Sequence, residues 1–387
     1  MIAYMQNSPI SESHPYVNWL ENDVDQTAIW RSEAHVALPK RVMVVDDTLK
    51  ADRAYQLTSE GTFLLWRGDF QNAKQLLQAL ARRIDHKPHK AKARPTEPAA
   101  AFHLHRQAQS HRARILGMLL VAFEPHHVLN LRRAPIFADA CHAVYGESNQ
   151  PYIVSLREIL GLIGAYEWRK KGVEIAALNA KIHPYYGVFS PVRGEYLSLV
   201  QQAPLPTTEL AFDIGTGTGV LSAILALRGV KHIIATDQDP RALACATENI
   251  MRLNLAARVT VVKANLFPEG KAALIVCNPP WIPARPSSSI ENAIYDPDSQ
   301  MLKGFLNGVG DHLNENGEAW LILSDIAEHL GLRSRVQLLQ WIADAKLALI
   351  EKHDIKPHHP KVADADDPLH QARAAEVTSL WRFKHAV

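Results

Sequence analysis

The sequence is short of cysteine, of net charge and of long apolar runs, and each shortage removes a class of protein. Its three cysteines, Cys141, Cys245 and Cys277, stand far apart in 387 residues. That spacing matches neither a disulfide framework nor a zinc pattern, so reduced thiols, a cytoplasmic location and no bound metal are expected. Forty-two Lys and Arg against 40 Asp and Glu leave a formal charge of +2, and bulk charge therefore points to no partner. The longest apolar run near the middle, "ILGMLLVAF" at 115–123, is about half of what a membrane span needs. The opening "MIAYMQNSPISESHPYVNWL" has no basic start followed by an apolar stretch, so no signal peptide is expected. No internal repeat is visible. What remains is a soluble chain with an ordinary apolar fraction of 47% and length enough for two domains.

The second half carries the clearer pattern. Between 209 and 325, short β-branched runs alternate with helical patterns, the mark of a parallel sheet flanked by helices. Strands are expected at "LAFDIG", "KHIIATD", "RVTVVKAN", "AALIVCN" and "EAWLILSD", with helices beginning near Gly219, Pro240 and Asp298. A further helix at "RSRVQLLQWIADAK" precedes strands at "LALIEKHDI" and "VTSLWRFK". Upstream, "KRVMVVDD" reads as a strand and "FQNAKQLLQALARRI" as an amphipathic helix. The polar, proline-bearing "DHKPHKAKARPTEPAAA" reads as a linker, with helical patterns over 103–145 and 154–171. We divide the chain into an accessory, substrate-recognition domain at 1–175 and a catalytic domain at 176–387.

Two motifs suggest chemistry. "FDIGTGTG" sets Gly215, Thr216, Gly217 and Gly219 where a buried strand turns into a helix, so backbone amides can approach a ligand closely. Asp213 precedes the loop, where it can hold loop amides or a cationic group. Asp237 ends the next strand, where a carboxylate can accept both hydroxyls of a ribose. The other motif, "VCNPPWIP", puts Asn278, Pro279, Pro280 and Trp281 directly after an apolar strand.

Together these motifs resemble class I S-adenosylmethionine-dependent methyltransferases, in the group that holds the small-domain and HemK-like N-methyltransferases, over about 180–387. The resemblance implies an α/β fold: a Rossmann-like seven-stranded core behind an N-terminal mixed, mostly helical domain. It implies S-adenosylmethionine as cofactor, with Gly215 to Gly219 against its methionine part, Asp237 on the ribose and Asn265 near the adenine. Asn265 stands where the family often has Asp. The NPPW corner suits a planar nitrogen whose lone pair is delocalised. If Asn278 Oδ1 and the Pro279 carbonyl each accept one N–H, they aim the nitrogen and favour its tetrahedral form. Pro280 removes a competing N–H, and Trp281 offers a face for stacking.

"GVFSP" at 187–191 and "ANLFPEG" lean towards the enzymes that modify an exocyclic amino group of a nucleobase in RNA, ribosomal RNA among them. The alternatives are a glutamine amide on a protein, as in HemK-like enzymes, and a small molecule. Some RNA enzymes of this group carry a degenerate methyltransferase copy in front, which "KRVMVVDD" and its helices fit loosely. The stretch 82–133 holds 11 Lys and Arg, 3 acids and 7 His, a composition able to track phosphates or simply to form a solvated basic face. His103, His105 and His111 read as surface groups rather than metal ligands. In the loop "KPHHPKVADADDPLHQARAAE", His358, His359, His370, Asp364, Asp366 and Asp367 are candidates for acceptor contact, as is Arg285 beyond the corner. That loop is expected on the rim that carries Asn278.

Overall fold

The computed structural model describes residues 15–86, 96–191, 194–286, 289–357, 364 and 367–386. Contacts group the chain into two compact units, 1–89 with 110–163 and 90–109 with 164–387. The linker expected at 85–101 falls largely on 87–95, outside the described residues.

The first unit is built on a six-stranded sheet in the order β1-β2-β6-β5-β4-β3. Its strands are β1 (Tyr16–Glu21), β2 (Val24–Trp30), β3 (Val42–Val45), β4 (Phe63–Trp66), β5 (Leu119–Phe123) and β6 (Tyr152–Ser155). Asn22 and Asp23, at φ +54° and +60°, make the two-residue turn that joins β1 to β2. Helices α1 (Ala51–Ser59) and α2 (Phe70–Asp85) connect the parallel strands; α3 (Pro98–Gly117), α4 (Ala138–Tyr145) and α5 (Leu156–Lys171) complete the helices of this half.

The helical reading of 103–145 is therefore interrupted by β5. Its residues are buried on both faces, and a short apolar run of that kind reads equally as buried helix or buried strand. The front sheet also differs in strand order from the catalytic sheet described next, so the topology gives no support to a degenerate copy of it.

In the second unit a small hairpin, β7 (Val173–Ile175) and β8 (Ala180–Ile182), precedes α6 (Glu195–Gln202). Then come β9 (Leu210–Ile214), α7 (Val220–Leu227), β10 (His232–Asp237), α8 (Pro240–Arg252), β11 (Val259–Lys263) and β12 (Ala272–Cys277). The chain ends with α9 (Gln300–His312), β13 (Leu313–Ser324), α10 (Ile326–His329), α11 (Arg335–Asp344), β14 (Leu347–Ile355), α12 (His370–Ala375) and β15 (Thr378–His385). Seven strands lie in the order β11-β10-β9-β12-β13-β15-β14, parallel except for β15, which is antiparallel to both neighbours.

The central strands β9 and β12 are buried on both faces, as suits a parallel sheet, and Phe212, Trp320, Phe305 and Phe383 are all buried around them. After β9 the chain runs outward to β10 and β11 and then returns to β12 on the other side. That reversal opens a crevice at the carboxyl ends of β9 and β12, where open α/β sheets hold their ligands.

Candidate active site

The glycine loop leaves β9 with Gly215, Gly217 and Gly219 at φ +72°, +55° and +81°. Glycine adopts such angles at no steric cost. A Cβ on Gly215 would come within 2.5 Å of Met301 Cε, whereas one on Gly217 would meet nothing within 4 Å. Asp213 braces the loop from behind. Its Oδ2 accepts from the Thr216 hydroxyl of the loop (2.7 Å) and from Ser222 N (3.0 Å) and Oγ (2.6 Å) in α7, so its partners are two hydroxyls and a helix amide. Burial pushes its pKa up against these hydrogen bonds.

Asp237 reaches the loop from the neighbouring strand. Its Oδ2 accepts from Gly217 N (3.1 Å) and its Oδ1 from Asp239 N (3.0 Å), while burial raises its pKa. Each carboxylate oxygen has a further lone pair for a ligand hydroxyl. Asp239 also accepts from Arg241 N (2.8 Å), capping α8 ahead of Pro240.

At the end of β12, Asn278 Oδ1 accepts from Trp281 Nε1 at 2.9 Å. The indole is only a donor, so this contact fixes which end of the carboxamide is oxygen. Tyr196 of α6 lies edge-on to Trp281, with ring centroids 6.1 Å apart. Burial pushes the Tyr196 hydroxyl pKa up, and the Asn278 side chain hydrogen-bonds it.

A cavity of about 680 Å³ joins the loop to the corner, and every residue that lines it belongs to the second unit. Gly215, Thr216, Gly217, Asp237 and all of Asn278 to Trp281 line it. Asp213 and Gly219 stand behind; a Cβ on Gly219 would meet Ala246 and Ile250 of α8 at 3.4 Å. Asn265 is exposed, its Oδ1 taken by Gln238 Nε2 (2.9 Å), and its neighbours Ala264 and Leu266 line the cavity instead.

The β14–β15 segment reaches the rim carrying Asn278, since Pro357, Arg373 and Glu376 line the same cavity. Asp367 is engaged by Arg373 Nε at 2.8 Å, His370 opens α12, and Asp364 is exposed; His358, His359 and Asp366 lie outside the described residues. The reading of single residues missed Ser190, whose hydroxyl is buried without a partner at the cavity, as well as Tyr196 and Glu376. "GVFSP" was the available signal for Ser190; Tyr196 and Glu376 have none in a single sequence.

Among the described residues the basic stretch is largely engaged within the protein. Of its seven described Lys and Arg side chains, five are ion-paired: Arg83 with Asp52, Arg106 with Glu291, Arg112 with Asp85, and Arg132 and Arg133 with Asp69. His103, His105 and His111 lie on α3. Among the described residues, no group of three or more His, Cys, Asp or Glu side chains is placed to hold a metal ion. No helix among them is long and apolar enough to cross a membrane.

Sheet order, glycine loop and corner together define a class I methyltransferase. The methyltransferase small domain profile matches residues 179–344. A tRNA1(Val) (adenine(37)-N6)-methyltransferase from Shewanella loihica is 30% identical over 176 residues, 43% of this chain and 70% of that protein. A putative protein N5-glutamine methyltransferase from Methanocaldococcus jannaschii is 26% identical over 162 residues, 40% of this chain and 80% of that protein. A release factor glutamine methyltransferase from Cereibacter sphaeroides is 40% identical over 96 residues, 24% of this chain and about a third (34%) of that protein. A methyltransferase structure from Pyrococcus furiosus aligns with 59% of this chain and 98% of its own at 18% identity and a TM-score of 0.38; the fold assignment rests on the strand order. This chain belongs to the methyltransferase small domain family. It is an S-adenosylmethionine-dependent N-methyltransferase.

The residues present fit that cofactor. The open space over Gly217 is room that a ligand can take, and Ser190 and Asp237 bring an unpaired hydroxyl and spare lone pairs to the same cavity.

Proposed function

We propose that this protein methylates the exocyclic amino group of a nucleobase in RNA. The observation that carries this reading is the oriented Asn278 carboxamide beside the rigid Pro279-Pro280 turn, at the edge of a cavity that Trp281 and Phe189 also line. Phe189 is 38% exposed, enough to meet an incoming ring. The relative acting on a tRNA adenine matches over 176 residues, further than the others reported above, which adds support.

Bound S-adenosylmethionine supplies a methyl group on a sulfonium sulfur. In the proposed assignment Gly215, Thr216 and Gly217 would hold its methionine part, Asp237 would accept the ribose hydroxyls, and Ala264 and Leu266 would flank the adenine. Asn278 Oδ1 and the Pro279 carbonyl accept the two N–H bonds of the acceptor, which pyramidalises the nitrogen and directs its lone pair. Methyl transfer would leave the acceptor nitrogen cationic; it would shed one proton to solvent, and the cofactor would depart as its neutral thioether. A base within a duplex must first be flipped out, so single-stranded RNA or partly assembled particles are the favoured substrates. We assign acceptor recognition to the first unit, and a cytoplasmic location agrees with three buried free thiols.

The test is transfer of labelled methyl into an extract of cells that lack this protein. Label in nuclease-sensitive material, recovered as an N-methylated nucleoside, supports the proposal. Label that resists nuclease and yields to protease moves the acceptor to a glutamine amide, and label in small molecules overturns both.

A further inference from the structure

Helix α3 begins in the front half of the sequence, yet its residues up to Gln109 group with the catalytic unit. Phe102 is 2% exposed and clusters with Ile326, Leu330, Leu369 and Ala372, against which Trp281 and Tyr295 pack. One turn later on the same face stands Arg106. Its Nη1 lies 3.0 Å from Glu291 Oε2, its Nη2 donates to the Arg285 carbonyl (2.8 Å), and its guanidinium sits 4.1 Å from the centre of the Tyr295 ring.

These three partners belong to the segment that follows the Asn-Pro-Pro-Trp corner. That segment is tied back to the corner by Ile282 N donating to Ile294 O (3.2 Å) and Asp296 N donating to Ile282 O (2.9 Å). Ile294 and Tyr295 line the cavity. We infer that Arg106 is a positioning residue for methyl transfer, holding Arg285, Glu291 and Tyr295 in register with the corner so that the acceptor nitrogen meets Asn278. The inference rests on the corner being the acceptor end of the cavity.

The chemistry suits arginine. Its planar fork can bind a carboxylate and a carbonyl while its face covers an aromatic ring, whereas lysine can keep the charge but not all three contacts. At 17% side-chain exposure its pairing with Glu291 is partly shielded from solvent.

The experiment uses the full chain, with Arg106→Ala, Arg106→Lys and Glu291→Gln beside a control in the same unit, Lys231→Ala, which breaks an exposed pair with Glu209. Methyl transfer into graded amounts of the acceptor extract, cofactor Kd and melting temperature are measured for each. For Arg106→Ala, kcat/KM for the acceptor should fall about ten- to a hundredfold, as expected when a reacting group is misplaced, with cofactor Kd unchanged to within about twofold. Arg106→Lys should recover part of the loss, Glu291→Gln should show a smaller loss, and Lys231→Ala should turn over like the parent. Glu291→Gln also keeps the idea testable if Arg106→Ala fails to fold. Parental turnover in Arg106→Ala, or losses in Arg106→Ala and Lys231→Ala that simply follow their melting temperatures, would overturn the inference. Asn278→Ala in the same series separates the two failures. If it keeps turnover, the corner reading is wrong; if it alone loses turnover, only the role of Arg106 is.

Discussion

Replacing Asp237 tests the cofactor assignment most directly. Each of its oxygens spends one lone pair on a loop amide, Gly217 N or Asp239 N, and has another for a ribose hydroxyl. A hydrogen bond to a charged group is worth about 1.5–3 kcal/mol, so losing two puts the change at about 3–6 kcal/mol. Asp237→Ala should therefore weaken S-adenosylmethionine by roughly a hundredfold to ten-thousandfold. Asp237→Asn keeps one acceptor oxygen without the charge, so a loss of about ten- to a hundredfold is expected. Calorimetric titration gives both constants.

The pH dependence supplies a second check. Burial raises the folded pKa of Asp237 above the ordinary 3.8. Ribose donors prefer the carboxylate, so affinity should fall as pH drops through that raised value and level off above it. Stability of the free protein runs the other way. A raised folded pKa contributes stability that is present below pH 3.8 and lost as pH climbs through the folded value. Asp237→Asn should then remove this pH dependence of stability while weakening the cofactor and flattening the pH profile of binding. Unchanged affinity in both variants would show that the ribose lies elsewhere.

Asn278→Ala should lower kcat by about a hundredfold or more with cofactor Kd nearly intact, measured by single-turnover methyl transfer. Trp281→Phe keeps an aromatic ring but deletes the indole donor to Asn278 Oδ1; a fall in kcat of about tenfold, larger than any rise in acceptor KM, is expected if orientation matters more than stacking. Glu248 is engaged by Arg169, Arg252 and the Tyr185 hydroxyl, and its pKa is lowered from 4.5 to about 2. The stability it adds is present above pH 4.5 and lost as pH falls through about 2, so Glu248→Gln should cost about 1–2 kcal/mol at pH 7, after allowing for solvent screening, and much less at pH 2, as read by urea titration.

The catalytic sheet was legible because its physics repeats along the chain. Strands buried on both faces must be apolar throughout, as in "LIVC", and must be spaced by crossover helices. The glycine loop and the corner were legible for another reason, since left-handed backbone and rigid carbonyls narrow the choice to Gly and Pro. The front sheet lacked both signals. Strand β3 was read in "KRVMVVDD", but β4 and β6 have four residues each, too few to establish a period, and are buried at every position.

Within the site, the sequence revealed groups whose work is local and hid those that act across the chain. Arg106 and Glu291 are 185 positions apart, and only folding joins them. The NPPW motif held its information differently. Trp281 was read as a plane on which a ring can stack, yet its N–H is what touches Asn278 in the structure. An asparagine amide has two nearly isosteric ends, and only one of them accepts a hydrogen bond. A donor-only indole three residues later resolves that ambiguity, so the acceptor and the group that orients it lie in one short segment. Tyr196 meets the same carboxamide from α6, which leaves it little freedom to turn. An acceptor that is oriented before the substrate arrives need not reorganise as positive charge grows on the nitrogen.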